Sequence, residues 1–288
     1  MSKKEIDDVT GVETTGHEWD GIKELNKPLP KWWLYTFYAT IVWGLGMFVL
    51  YPAWPTVTGF TPGLLGFSQR ALVHAELKAG RDAQAKFRDA IASTALTEIK
   101  TKPDLLRFAM AGGKVAFAEN CAPCHGRGAQ GGVGYPNLAD DDWIWGGSID
   151  AVHHTIQYGV RWTHSDTRFS DMPKFGVEKL LEPKQINDAA EYVLSLSGGS
   201  TDAAAVASGK AIYAEQCVSC HGENGKGNPD LGAPNLTDKV WLYGGSKQAI
   251  VESINTGRGG RMPNWVGRLD PVTIKSLAVY VHSLGGGK

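Results

Sequence analysis

The sequence predicts a mainly α-helical protein in which one N-terminal membrane-spanning helix precedes two tandem small helical domains. Three observations lead there. Residues 32–51 carry no formal charge, the last two-thirds of the chain repeat themselves, and both copies close on one short helical pattern, Tyr192-Val193 and Tyr280-Val281. At 288 residues the chain has room for two small cores and further segments. Its 29 basic and 30 acidic side chains nearly cancel, so the basic excess expected of a nucleic-acid binder is missing.

As a helix, residues 32–51 reach about 30 Å, the thickness of a hydrocarbon core. Trp32, Trp33 and Tyr35 at one end and Tyr51 and Trp54 at the other form interfacial belts, and Pro52 with Pro55 stops the helix. A buried soluble helix is seldom so uniformly apolar. A cleaved signal peptide does not suit the preceding 31 residues of mixed charge, and no small-residue cleavage site follows. Lys3, Lys4, Lys23, Lys27 and Lys31 lie before the span, and Arg70 is the first basic residue after it. The positive-inside rule therefore expects residues 1–31 in the cytoplasm and everything after the span on the far side, in a bacterium the periplasm. Residues 52–107 read as a connecting segment. Within it the Ala-rich, Lys- and Arg-studded stretch 69–100 is expected to form an amphipathic helix packed partly on a partner.

The repeat begins where Gly113 to Phe117 leads into Cys121, as Gly209 to Tyr213 leads into Cys217, an offset of 96. Pro136-Asn137-Leu138 answers Pro234-Asn235-Leu236, Trp143 answers Trp241, and Gly146-Gly147 answers Gly244-Gly245, all at 98. Gly159 still matches Gly257, but Met172-Pro173 matches Met262-Pro263 at 90, so the first copy carries 8 extra residues between positions 160 and 171. The copies are assigned to residues 108–199 and 200–288, each the size of a small domain. The Gly/Ser run 197–200 links them closely.

Within each copy lies a C-x-x-C-H motif: Cys121, Cys124 and His125, then Cys217, Cys220 and His221. This is the attachment site of c-type haem, in which two thiols add to the porphyrin vinyl groups and the adjacent imidazole binds iron. Positions i, i+3 and i+4 share one helical face, so all three side chains reach one porphyrin. A four-thiolate zinc site would leave both histidines as coincidence, and a thioredoxin-like pair would need a βαβ context that the sequence lacks. Two covalently bound haem c groups are expected. The abundant Gly (36) and Trp (10) suit short helices and loops around a large flat ligand.

A second axial ligand is expected from Met172 and Met262, which recur at matched places and each precede a proline. A lone methionine is more often a gap-filler, which is how Met47 and Met110 read. His153, His154, His164 and His282 lack repeat partners, although His164 lies in the insertion just before Met172. Pro136 and Pro234 are expected to offer a carbonyl to the free nitrogen of each iron-binding histidine. Trp143, Trp241 and Tyr135 are expected to line the pockets, and Arg258 and Arg261 to pair with haem propionates or remain solvated.

The run from Trp19 to Trp33 (WDGIKELNKPLPKWW), followed by the span and two such haem domains, resembles the dihaem P subunit of cbb3-type cytochrome c oxidases over nearly the whole chain. The resemblance implies tandem class I cytochrome c-like domains, with haem attached at Cys121, Cys124, Cys217 and Cys220 and iron held by His125, Met172, His221 and Met262. It further implies electrons received from a donor cytochrome c or a cytochrome bc complex. They would pass through a monohaem cytochrome subunit to the catalytic haem-copper subunit. The insertion after Gly159 departs from the family pattern. The residues themselves leave open a free-standing anchored dihaem carrier serving another reductase, and a dihaem peroxidase, which would need an open iron site. Replacing Cys217 and Cys220 by alanine is expected to leave one covalent haem in the intact mass; retention of two would refute the assignment.

Overall fold

A computed structural model describes residues 5–200 and 202–285; Lys3 and Lys4 lie outside them. The chain forms two compact units, residues 1–83 and 84–288. The first opens with an antiparallel hairpin, β1 (Thr14–Trp19) and β2 (Ile22–Leu25). Its turn is Asp20-Gly21, both at positive φ (52° and 84°), the pairing that two-residue hairpins favour. Helix α1 (Lys31–Leu50) follows, with a mean hydropathy of 1.5 and no buried residue, long and apolar enough to cross a membrane. A short hairpin, β3 (Pro55–Thr56) and β4 (Gly59–Phe60), leads to α2 (Gln69–Ser93).

The second unit holds the end of α2, then α3 (Leu96–Ile99), α4 (Pro103–Asn120), α5 (Ala122–His125), α6 (Ile149–Tyr158), α7 (Pro183–Leu196), α8 (Ala203–Gln216), α9 (Val218–His221), α10 (Lys247–Thr256) and α11 (Pro271–His282). Helices α7 and α11 carry the same buried stripe at i, i+3, i+4 and i+7: Ile186, Ala189, Ala190 and Val193 in one, Ile274, Leu277, Ala278 and Val281 in the other. Asp270 caps α11 by accepting from Val272 N–H and Thr273 N–H, and Ser148 and Ser246 cap α6 and α10 in the same way.

The two hydrophobic cores do not follow the division of the sequence at 108–199 and 200–288. Helix α11, from the second copy, packs on α4 and α6 of the first, while α7, from the first copy, packs on α8 and α10 of the second. One core joins Phe117, Ile149, Val152 and Ile156 to Trp265, Ile274, Leu277 and Val281; the other joins Phe175, Ile186 and Val193 to Tyr213, Ile250 and Ile254. Each crossing has the same construction. A Cβ on Gly113 would sit 2.3 Å from the Ser276 carbonyl oxygen, and one on Gly209 would sit 2.0 Å from that of Asp188. Beside them Phe117 meets Tyr280 and Tyr213 meets Tyr192, with ring centroids 5.5 and 5.0 Å apart. The exchange has a local cause: only residues 197–202 separate α7 from α8, and a connection that short makes successive helices antiparallel neighbours.

The stretch 69–100 is not one helix. Helix α2 ends at Ser93, and Lys275 of α11 donates to the carbonyls of Ile91, Ala92 and Thr94 at 3.2, 2.8 and 2.9 Å, satisfying the last turn. Ile91 and Ile99 are fully buried in the first core, so this part of the connecting segment packs on the chain itself. Gly113→Ala and Gly209→Ala are each expected to destabilise the protein by about 1–3 kcal/mol, the cost of forcing atoms into a packed contact. Gly112→Ala, with nothing within 4 Å of its Cβ, is expected to be neutral or stabilising. Denaturation midpoints of the three variants check this, and a Gly113 variant as stable as the parent would contradict the crossing.

Candidate functional site

Each C-x-x-C-H motif begins as a long helix ends. Cys121 caps α4 and starts the single turn α5; Cys217 does the same between α8 and α9. Gly126 (φ 80°) and Gly222 (φ 75°) stop those turns, so His125 and His221 project from the last helical residue. Loops then fold back beneath the rings. Gly131 N–H donates to the His125 carbonyl at 2.7 Å and Gly227 N–H to that of His221 at 2.9 Å.

The Nδ1 atoms of His125 and His221 lie 3.0 Å from the carbonyl oxygens of Pro136 and Pro234 respectively. A carbonyl only accepts, so Nδ1 carries the proton and Nε2 presents its lone pair. Burial pushes both imidazoles below the ordinary histidine range, and the proline carbonyls oppose that shift. Burial also pushes the thiols of Cys121 and Cys217 up to about 11. No disulfide joins the four cysteines. Among the described residues no three or more His, Cys, Asp or Glu side chains converge.

The exchange of helices decides where the methionines fall. Met262 packs, with Cys121, Ala122, Leu138 and Trp143, against the core that contains Phe117, and Met172 packs, with Cys217, Val218, Leu236 and Trp241, against the core that contains Tyr213. The backbone seats them in matching fashion: a Cβ on Gly159 would lie 2.3 Å from the Met262 carbonyl oxygen, and one on Gly257 2.4 Å from that of Met172. Both C-x-x-C-H turns and both methionines line one continuous cavity.

Tyr135, Trp143, Trp241, Arg258 and Arg261 line the same cavity. Arg258 stands over the Tyr243 ring, 5.3 Å from its centroid. Met110 packs on the first core. His153, His154, His164 and His282 are not on the cavity wall. His164 Nδ1 accepts from Asp166 N–H at 3.0 Å, and His282 Nδ1 lies 3.0 Å from Lys100 Nζ. Trp145 and Tyr243 were not singled out by sequence, although they match at the offset of 98. Trp145 packs against Gly232 and Tyr243 against Gly134, so each aromatic ring meets a glycine of the other copy.

The residues present fit haem c. The cavity wall is mostly apolar and aromatic, its two imidazoles keep Nε2 unprotonated, and Trp143 Nε1 is a buried donor without a partner, suited to a carboxylate.

The N-terminal region, residues 11–58, matches the family model described as the N-terminal domain of cytochrome oxidase-cbb3, FixP. Residues 108–193 and 204–281 match the one described as cytochrome C oxidase, cbb3-type, subunit III. A relative named cbb3-type cytochrome c oxidase subunit FixP, from Bradyrhizobium sp. (strain ORS 278), is 54% identical over 99% of this chain and 98% of its own length. Subunits named CcoP from Azospirillum brasilense and Cereibacter sphaeroides are 54% and 51% identical. They cover 100% and 96% of this chain and 100% and 95% of their own lengths.

Proposed function

The chain belongs to the FixP/CcoP family of cbb3-type cytochrome c oxidase subunits, and on that premise we propose that it carries two covalent haem c groups in series between a donor and the oxidase. It binds c-type haem, transfers electrons within the oxidase, associates with other oxidase subunits and is anchored in the membrane. The donor is a cytochrome c or a cytochrome bc complex. Electrons leave through a monohaem cytochrome subunit toward the catalytic haem-copper subunit. Residues 1–31 face the cytoplasm of a bacterium and both haem centres the periplasm, a reading supported by the lysines before α1 and the positive-inside rule.

The observation that carries this reading is the doubled set of imidazole, proline carbonyl and methionine on the wall of one cavity. One haem c would be held by Cys121, Cys124, His125 and Met262, and the other by Cys217, Cys220, His221 and Met172. Crossed ligation is supported by the packing of each methionine on the core that holds the other copy's cysteines. Haem c, when bound, supplies a one-electron ferric–ferrous couple. The chain's own residues tune and protect that couple. The Nδ1–H bonds to Pro136 and Pro234 fix the tautomer and orientation of each imidazole. The thioethers favour the reduced state and fill the position that peroxide chemistry would need open. Phe117 and Tyr213, at 1% and 2% exposure, help keep water from the two centres.

Two experiments test this. In a Cys217→Ala/Cys220→Ala protein a single haem remains, at Cys121 and Cys124. Met262→His is expected to lower its midpoint potential, because imidazole favours ferric iron, while Met172→His leaves it unchanged. The reverse pattern would assign the methionines within copies. Mild detergent purification through a tag on this chain is expected to bring haem b and copper with it; their absence would favour a free-standing carrier.

A further inference from the structure

Met172 and Met262 are 90 residues apart in the chain, yet one side chain reaches the segments that carry both. Arg161 Nε donates to the Ser170 carbonyl at 2.8 Å and to Asp171 Oδ1 at 2.9 Å, on the two residues before Met172. Its Nη1 donates to the Gly260 carbonyl at 2.9 Å, two residues before Met262. The preceding residue completes the arrangement: Val160 and Met262 exchange N–H···O bonds of 3.0 Å in each direction. The Arg161 side chain is largely withdrawn from solvent, at 16% exposure, and its guanidinium stands 5.8 Å from the centre of the Trp145 ring.

The backbone at this position is strained. Arg161 has a φ of 50°, a left-handed conformation unfavourable for a side chain of its kind. The strain is held by the loop itself, since Arg161 N–H donates to the Arg168 carbonyl at 2.8 Å and Arg168 N–H to that of Gly159 at 3.1 Å. The sequence therefore places a long forked donor at the start of the very segment that lengthens the first copy. A planar guanidinium with five donors can hold two loops at once; an ammonium, a single charged point, cannot do so with the same geometry.

We propose that Arg161 is a positioning residue that clasps the Met172 and Met262 segments together, so that axial ligation of both haems depends on one side chain. The insertion 160–171 exists in this account to present that guanidinium. The proposal rests on methionine ligation in the crossed arrangement described above.

The test uses the full-length, haem-loaded protein. Three quantities are read: covalent haem by intact mass, the near-infrared charge-transfer band of methionine-ligated ferric haem, and the two midpoint potentials. Arg161→Ala is expected to keep both covalent haems, weaken the band and move both potentials down together. Arg161→Lys is expected to retain the ion pair with Asp171 but not the bond to Gly260, so the potential of the haem at His125 falls more than that of the haem at His221. Arg168→Ala separates stacking from clasping. Arg168 also covers Trp145, at 5.6 Å, but its side chain donates to Thr155 Oγ1 and the Ala151 carbonyl and touches neither methionine segment. Its spectrum and potentials should match the parent's. Unchanged potentials in Arg161→Ala, or a shift at one haem only, overturn the clasp. If Arg161→Ala does not accumulate, unchanged or equally shifted potentials in Arg161→Lys overturn it. A parent protein without the charge-transfer band would instead remove methionine ligation itself.

Discussion

Two helix crossings at backbone contact organise the haem-bearing half of this protein. Gly113 lets α4 lie against the main chain of α11, and Gly209 lets α8 lie against that of α7. A side chain at either glycine would push the helices apart and open the core behind Phe117 or Tyr213. Each crossing joins one copy of the repeat to the other, so neither copy owns a complete core. The placement of the methionines, the continuity of the cavity and the reach of Arg161 all descend from that exchange. A change that weakens one crossing should therefore be felt at both centres, because α7 and α11 bring opposite copies to each.

Local chemistry was legible in the sequence, and long-range pairing was not. The two C-x-x-C-H motifs, the recurring methionines and the charge-free span are each written in one short stretch, where spacing alone fixes which side chains share a face. The exchange is hidden by the repeat itself. Gly113 and Gly209, Tyr192 and Tyr280, and Met172 and Met262 are equivalent residues, so contiguous and exchanged domains satisfy the same pattern. The distinguishing signal is the short connection at 197–202, which reads as a link between finished domains until it is seen as a turn between adjacent helices. One smaller feature was also readable: Asp20-Gly21 announces the β1–β2 hairpin.

The exchange bears on electron transfer through rigidity. A carrier works best when its ligand sphere is the same in both oxidation states, which requires ligands held by packed elements. Here each imidazole rises from a helix end and is pinned by a proline carbonyl. Each methionine arrives on a segment whose backbone is pressed against a glycine of the other copy, Met262 on Gly159 and Met172 on Gly257. Trp145 on Gly232 and Tyr243 on Gly134 repeat the device between the two centres. The pairs tie the copies into one body, so the separation of the two C-x-x-C-H turns is set by packing rather than by a flexible linker.

A density map of the haem-loaded oxidase, resolved well enough to trace the side chains on both faces of each porphyrin, examines the exchange most directly. Density running from the iron above His125 to the sulfur of Met262, and from the iron above His221 to that of Met172, is the expected result. Density joining His125 to Met172 through one iron would contradict the account.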